Sequence, residues 1–193
     1  MGLTAFVKIS TVLFITRGAI GMPAVPSSLI VMTLATALTT LAMLPVGRLV
    51  SERALPVLEQ SAQKPLEESA PQALEAVREP LRKFYFDNAS SRERGRFFEL
   101  AKRQGGASVS EKDFSVLIPA FLVTELLEAF ALGFAIFLPF LVIDLVVSNL
   151  LVTLGLSALS PQQIALPLKL LLFVALDGWG LLSESLVKSY AVG

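Results

Sequence analysis

No cysteine and no histidine occurs among the 193 residues of this chain. Without cysteine, disulfides, thiolate nucleophiles and cysteine-based metal sites are excluded. Without histidine, the commonest general base, the commonest zinc ligand and the Ser-His-Asp arrangement are removed together. Net charge is missing as well, because 16 basic residues balance 16 acidic ones. That balance leaves no electrostatic footprint for nucleic acid, which is not expected as a partner. No segment alternates with the period of a strand and no internal repeat stands out. A signal peptide is not expected either. The opening MGLTAFVKISTVLFITRGAIG carries Lys8 and Arg17 within and after its apolar run, whereas a signal peptide puts its charges first.

What the chain does contain is apolar surface. Hydrophobic residues make up 54% of it and the mean hydropathy is +0.70. Ordinary soluble domains sit near about 45–50% apolar, so the class is a membrane protein or a subunit of a membrane assembly. Charge density divides the chain into residues 1–47, 48–113 and 114–193. The first part is an apolar helical hairpin. Its charge-free stretch Ser27 to Leu44 is long enough to cross a hydrocarbon core. Thr33 with Ala37, and Thr36 with Thr40, have the small-xxx-small spacing that lets helix backbones approach, although plain helix filler explains any single pair equally well.

The middle part, 48–113, mixes both signs of charge and reads as a water-facing helical domain. Leu74, Val77, Leu81 and Phe84 form an apolar stripe at helical spacing. Pro80 within it predicts a kink or two short helices. Ser90 with Glu93 has the capping-box spacing for a helix from Ser91 to Gln104 that stops at Gly105-Gly106. Ser110 is placed to cap the next helix, with Glu111 and Asp113 suiting its positive end. Arg92, Arg94, Arg96, Lys102 and Arg103 alternate with Glu93 and Glu99, which reads as a solvated helix face.

The last part, 114–193, is almost continuously apolar yet carries Glu125, Glu128, Asp144, Lys169, Asp177, Glu184 and Lys188. A charge at the centre of a lipid-embedded helix costs roughly 3 kcal/mol. Such charges persist when they pair, line water or face protein. Pro139 predicts a kink, Gly155 to Ser160 a turn, and Ser160-Pro161-Gln162-Gln163 a new helix start, with Pro167 disturbing that helix early. The fold class is therefore all-α: bent helical hairpins of membrane-protein type with an inserted polar helical domain. Asp144 and Lys169, on successive apolar helices, are expected to pair within or between subunits. Glu125 is assigned to a subunit interface and Glu128 to a hydrated helix end. Asp177 is expected to set the return helix against a neighbour, and Trp179 to anchor at a membrane interface or pack in the assembly.

The residues admit three other functions. An intramembrane aspartyl protease would use Asp144 with Asp177, but the residues before Asp177 lack the glycine that motif needs. A proton- or ion-coupled transporter would use Glu125, Asp144 and Lys169 as a relay, and usually shows paired repeats. A membrane scaffold without a conduit is the third.

Read together, LIPAFLVTELLEAFALGFAIFLPFLVIDLVVSN (Leu117 to Asn149) and SPQQIALPLKLLLFVALDGWGLL (Ser160 to Leu182) resemble the FliP/SctR family of export-gate subunits in flagellar and virulence-type type III secretion systems. FVKISTVLFITRGAIGMPAVPSSLIV is a weaker match. SSRERGRFFELAKRQ and the Val-Ser-Asn after Asp144 look more like the virulence-type, or injectisome, branch than the bacterial flagellum's. The resemblance implies an all-helical, non-enzymatic subunit of the bacterial inner membrane that needs no cofactor. It implies a pentamer that assembles with two other small membrane subunits, larger export-apparatus proteins and membrane lipids into a conical complex held largely on the periplasmic side. Unfolded secreted proteins would pass through it. A head-to-tail contact repeated with a small rise builds such a helical assembly. The resemblance further implies an additional apolar segment before Thr4, and a run of methionines in the turn that narrows the channel. Here the aligned positions are Leu156, Ser157 and Ala158. A flexible thioether ring deforms and reseals, so with these residues the constriction falls to Leu156, Leu159 and partner subunits.

Overall fold

The computed structural model describes residues 4–22, 26–61, 66–105, 109–156 and 158–190. Among them the chain is all-helical: α1 (Phe6–Ile20), α2 (Ser28–Ser61), α3 (Leu66–Asn88), α4 (Ser91–Gly105), α5 (Phe114–Thr153), α6 (Pro161–Ala175) and α7 (Gly178–Lys188). Two of these, α2 over Ser28–Val57 and α5 over its full 40 residues, are long and apolar enough to cross a membrane. The chain divides into two compact units.

The first unit comprises Phe6–Thr39 and Leu126–Ser189. In it α1 packs against α6, and α6 against α7. Its core gathers Ala19, Ile20, Phe140 and Phe173, with a second cluster of Val147, Leu151 and Ala165. Helix α2 begins where the Ser27 carbonyl accepts the Val31 N–H at 3.1 Å and the Ser27 hydroxyl accepts from Ile30 at 3.4 Å. This is the N-cap geometry serine favours. The hydroxyls of Thr33 and Thr36 donate to the carbonyls of Leu29 and Met32, both at 2.8 Å. Satisfied in this way, threonines fit an apolar helix. Thr33, Ala37 and Thr40 lie on exposed surface.

Close approach sets Gly133 in this unit. A Cβ on Gly133 would stand 2.6 Å from Ile15 Cδ1 and 2.9 Å from its Cγ2. A β-branched side chain has little freedom to yield. Gly133→Leu is therefore expected to destabilise the unit by about 1–3 kcal/mol, read as a lower midpoint of thermal aggregation in detergent, while Gly18→Leu, which meets nothing within 4 Å, leaves the midpoint in place.

The helix ends around α5 follow residue chemistry. At its C-terminus, Leu156 N–H bonds the Leu151 carbonyl (2.9 Å) and Gly155 N–H bonds the Val152 carbonyl (3.1 Å). Gly155 lies at φ +70°. This is the Schellman arrangement, and glycine supplies its left-handed residue. Pro161 then opens α6 at N1, after Ser160 in extended backbone. The return is bent by 57° between α6 and α7. The bend falls at Leu176-Asp177, where Asp177 adopts φ 49°, ψ 49°, and not at Pro167, which lies inside α6. Pro139 likewise lies within the unbroken assignment of α5.

The second unit comprises Thr40–Glu125 with residues 4–5 and 190. Its core is aromatic. Phe84 and Tyr85 of α3 meet Phe121 of α5, with ring centroids at 5.5 and 5.1 Å, and Tyr190 stacks on Phe84 at 6.2 Å. Burial raises the Tyr85 phenol above its ordinary pKa. Of the apolar stripe, Phe84 is buried, Val77 and Leu81 are half-buried, and Leu74 is exposed. Of the two outcomes expected at Pro80, the pair of short helices is corrected, because α3 continues through Pro71 and Pro80. Each proline removes a single ladder donor, and the buried Phe84 and Tyr85 hold the turn that follows.

Two further corrections concern caps. Ser90 Oγ accepts from Glu93 N–H at 3.3 Å, yet the Ser90 N–H goes to Thr124 Oγ1 at 3.0 Å. Thr124 thus takes the place a capping-box glutamate would fill, and Glu93 approaches Arg96 at 3.7 Å. At α5 the cap is Asp113 rather than Ser110. The Asp113 carbonyl accepts from Val116 and Leu117, both at 2.9 Å, and its carboxylate accepts from Ser110 N–H at 2.8 Å. On α4, Arg94 stands over the Phe86 ring at 3.8 Å and donates to the Phe86 carbonyl, while Arg92, Arg96, Lys102 and Arg103 are exposed.

Candidate functional site: closed charge pairs in apolar helices

The interior charges of the first unit are met within it. Lys169 Nζ of α6 donates to Asp144 Oδ2 of α5 at 2.7 Å and reaches the Ala19 carbonyl of α1 at 3.4 Å. The Lys169 side chain is 7% exposed and that of Asp144 33%. Asp144 Oδ1 is buried with no hydrogen-bond partner among the described residues. Three helices therefore converge on one ammonium group. Its desolvation is offset by one charged and one dipolar acceptor.

A second pair was not foreseen from the sequence. Lys8 of α1 is fully buried and donates to Glu128 Oε2 of α5 at 2.8 Å. Glu128 is half exposed; its carboxylate is thus more than the hydrated helix end expected of it. The signal was available, since a lone lysine in an apolar helix raises the same question as Lys169. At the surface, Lys188 pairs with Glu184 one turn earlier on α7.

In the second unit, Glu125 is fully buried and accepts the Tyr190 hydroxyl. Tyr190 Oη also lies 3.1 Å from the Ala5 carbonyl. The aromatic core thus carries a polar centre joining α5 to residues near both ends of the chain, and Tyr190 is a partner that sequence reasoning missed.

Asp177 sits apart from these pairs. It is exposed, occupies the N-cap position of α7 and makes no side-chain cap bond. Its left-handed backbone is what the bend requires. Gly178 is required too, because a Cβ there would come 2.2 Å from the Phe173 ring. Phe173 in turn meets Trp179 edge-on at 5.1 Å. Aspartate tolerates the left-handed region better than alanine does. Asp177→Ala is thus expected to cost about 1 kcal/mol of stability, and Asp177→Gly to cost nothing. Equal losses in a chemical-denaturation series would assign Asp177 to charge rather than to backbone.

In the turn after α5, Leu154, Leu156 and Leu159 are exposed, as is Ala158. Ser157 lies outside the described residues. Among the described residues no group of three acidic, histidine or cysteine side chains is placed to hold a metal ion.

A long apolar helix that turns back through a broken return helix, with its interior charges closed into pairs, defines a helical membrane protein. The chain belongs to the FliP family, which it matches over residues 1–186. Hypersensitivity response secretion protein HrcR of Ralstonia nicotianae is 38% identical to it, covering 98% of this chain and 89% of the relative. Probable translocation protein y4yL of Sinorhizobium fredii is also 38% identical, covering 98% and 86%. Flagellar biosynthetic protein FliP of Caulobacter vibrioides is 37% identical, covering 98% of this chain and 70% of the relative.

Proposed function

We propose that the chain is a non-enzymatic subunit of a type III protein-secretion export gate in the bacterial inner membrane. Copies of it, five by family resemblance, assemble with two other small membrane subunits and larger export-apparatus proteins around an entrance channel for unfolded secreted proteins. The polar segment 48–113 lies on the periplasmic side in this reading. The virulence-type branch is favoured over the flagellar one on the segment SSRERGRFFELAKRQ and the Val-Ser-Asn after Asp144; relatives of both kinds are similar in identity, at 38% and 37%.

One observation carries this reading. Helix α5 has 40 residues, a length of about 60 Å, against a hydrocarbon core of roughly 30 Å. Its side chains Phe130, Phe134, Leu138, Leu145 and Leu150 are exposed in the single chain. The second unit's own core buries the start of the helix at Val116, Leu117, Ala120 and Phe121. Exposed apolar side chains run from Leu126 to Val152, about 40 Å and more than lipid alone covers, which supports burial of part of this face by other protein. Glu125, Asp144, Lys169 and Asp177 then keep each subunit's shape for assembly, and Leu156, Ser157, Ala158 and Leu159 face the axis.

The test is co-purification of the tagged chain with the products of its neighbouring genes, followed by mass measurement of the particle in detergent. Several copies of the chain with two small helical partners are expected. A monodisperse monomer that moves ions by itself would overturn the reading in favour of a transporter. That alternative is not favoured, because Asp144 and Lys169 neutralise each other at 2.7 Å and no internal repeat is legible.

A further inference from the structure

Pro26, Ile30, Val31 and Leu34 at the start of α2, with Trp179 at the start of α7, line an apolar groove of about 260 Å³ in the first unit. Arg17, in the last turn of α1, is tied to its edge. One guanidinium nitrogen donates to the Pro26 carbonyl at 3.2 Å and to Ser28 Oγ at 3.0 Å. In this unit Lys8, Lys169 and Lys188 each meet a carboxylate. Arg17 meets none among the described residues. A guanidinium has five donors in a fork suited to phosphate, and one nitrogen accounts for both of the bonds it makes here. The neighbouring Leu29 and Leu181 are exposed and apolar. Tryptophan itself favours the level of the lipid headgroups.

We propose that this groove holds an acyl chain of an anionic phospholipid whose phosphate is paired by Arg17. An apolar trough with a cation at its edge that lies over the Phe14 ring at 5.3 Å and meets no carboxylate among the described residues is complementary to that molecule, and a second copy of the chain is the competing occupant. The inference rests on the chain lying in a membrane and not on its forming an export channel.

Trp179 is the only tryptophan, so its fluorescence reports on the groove alone. The full chain is placed in phosphatidylcholine vesicles and titrated with guest lipid brominated on its acyl chains, either phosphatidylglycerol or phosphatidylcholine. Bromine quenches tryptophan on contact. The anionic guest is expected to quench half of the accessible signal at a several-fold lower mole fraction than the zwitterionic one. Arg17→Gln is expected to erase that preference, Arg17→Lys to keep most of it, and Leu34→Phe, which fills the groove, to weaken quenching by both guests. Equal quenching by the two guests in the unaltered chain would overturn the proposal, a comparison that needs no variant to fold. So would an intact preference in Arg17→Gln. Absence of quenching by either guest, in protein that still floats with the vesicles, would give the groove to protein and leave the membrane location standing.

Discussion

Asp144→Ala is expected to abolish assembly of the chain into a secretion complex and to lower its level in the membrane. Lys169 is almost wholly buried, and without Asp144 its remaining acceptor among the described residues is the Ala19 carbonyl at 3.4 Å. Removing one partner of a buried pair costs about 3–5 kcal/mol, a large fraction of the roughly 5–15 kcal/mol that holds a typical domain folded. Two double variants separate the pair from its surroundings. Exchanging the charges, with Asp144→Lys and Lys169→Asp together, should restore part of the protein level, because the 2.7 Å contact needs opposite signs rather than a given order. Asp144→Ala with Lys169→Leu should restore it as well, since apolar replacement of a buried pair is often neutral. Membrane level by immunoblot and export of a reporter are the two readouts. Failure of both double variants to recover the level would dismiss direct pairing as the cause. Recovery of the level without export would give the charges a role in transport beside their role in folding.

The pair is lopsided, which orders the single variants. Asp144 keeps a third of its side chain exposed while Lys169 keeps 7%. A carboxylate left alone there can still draw on water. Lys169→Ala should therefore be milder than Asp144→Ala.

The helical elements were legible because the apolar runs are long and their stops are chemically explicit. Gly155 and Ser160-Pro161 bound the turn after α5, and Gly105 ends α4, where sequence logic puts them. Proline was harder to read. Pro80, Pro139 and Pro167 each read as a disturbance, and all three lie inside continuous helices, so none of them ends an element. The loss of one backbone donor is outweighed when many apolar neighbours hold the turns on either side. The actual bend falls at Asp177, where a left-handed residue and the tight seat of Gly178 on Phe173 do what proline was expected to do. The turn also explains why Asp144 and Lys169 face each other: both interrupt apolar helices on either side of it. Lys8 and Tyr190 were not assigned partners because Glu128 and Glu125 lie 120 and 65 residues away from them, and no local pattern encodes so distant a contact.

Replacing Leu156 and Leu159 together by glycine is expected to make the assembled gate leak small ions, under the proposed reading of the turn as the channel's narrowest ring. Two observations and the proposed assembly set the size of the effect. The turn is held at its base by the Schellman bonds of Gly155 and Leu156, and these use backbone atoms only, so the substitutions leave its anchorage in place. Leu154, Leu156 and Leu159 are each at least 45% exposed, so a single subunit leaves much of their apolar surface uncovered. Repeated around an axis, two leucines from every copy form an apolar ring, and narrow apolar constrictions resist wetting. Glycine removes that ring and exposes backbone polar groups that water can follow. Potassium efflux from cells or proteoliposomes holding the complex should rise well above that of the unaltered gate, while complex yield stays the same. Leu156→Met with Leu159→Met should keep the gate tight, because thioether side chains are apolar and adapt to one another. An ion barrier unchanged by the glycine pair, at equal yield, would move the seal to a partner subunit and leave this turn with a structural role.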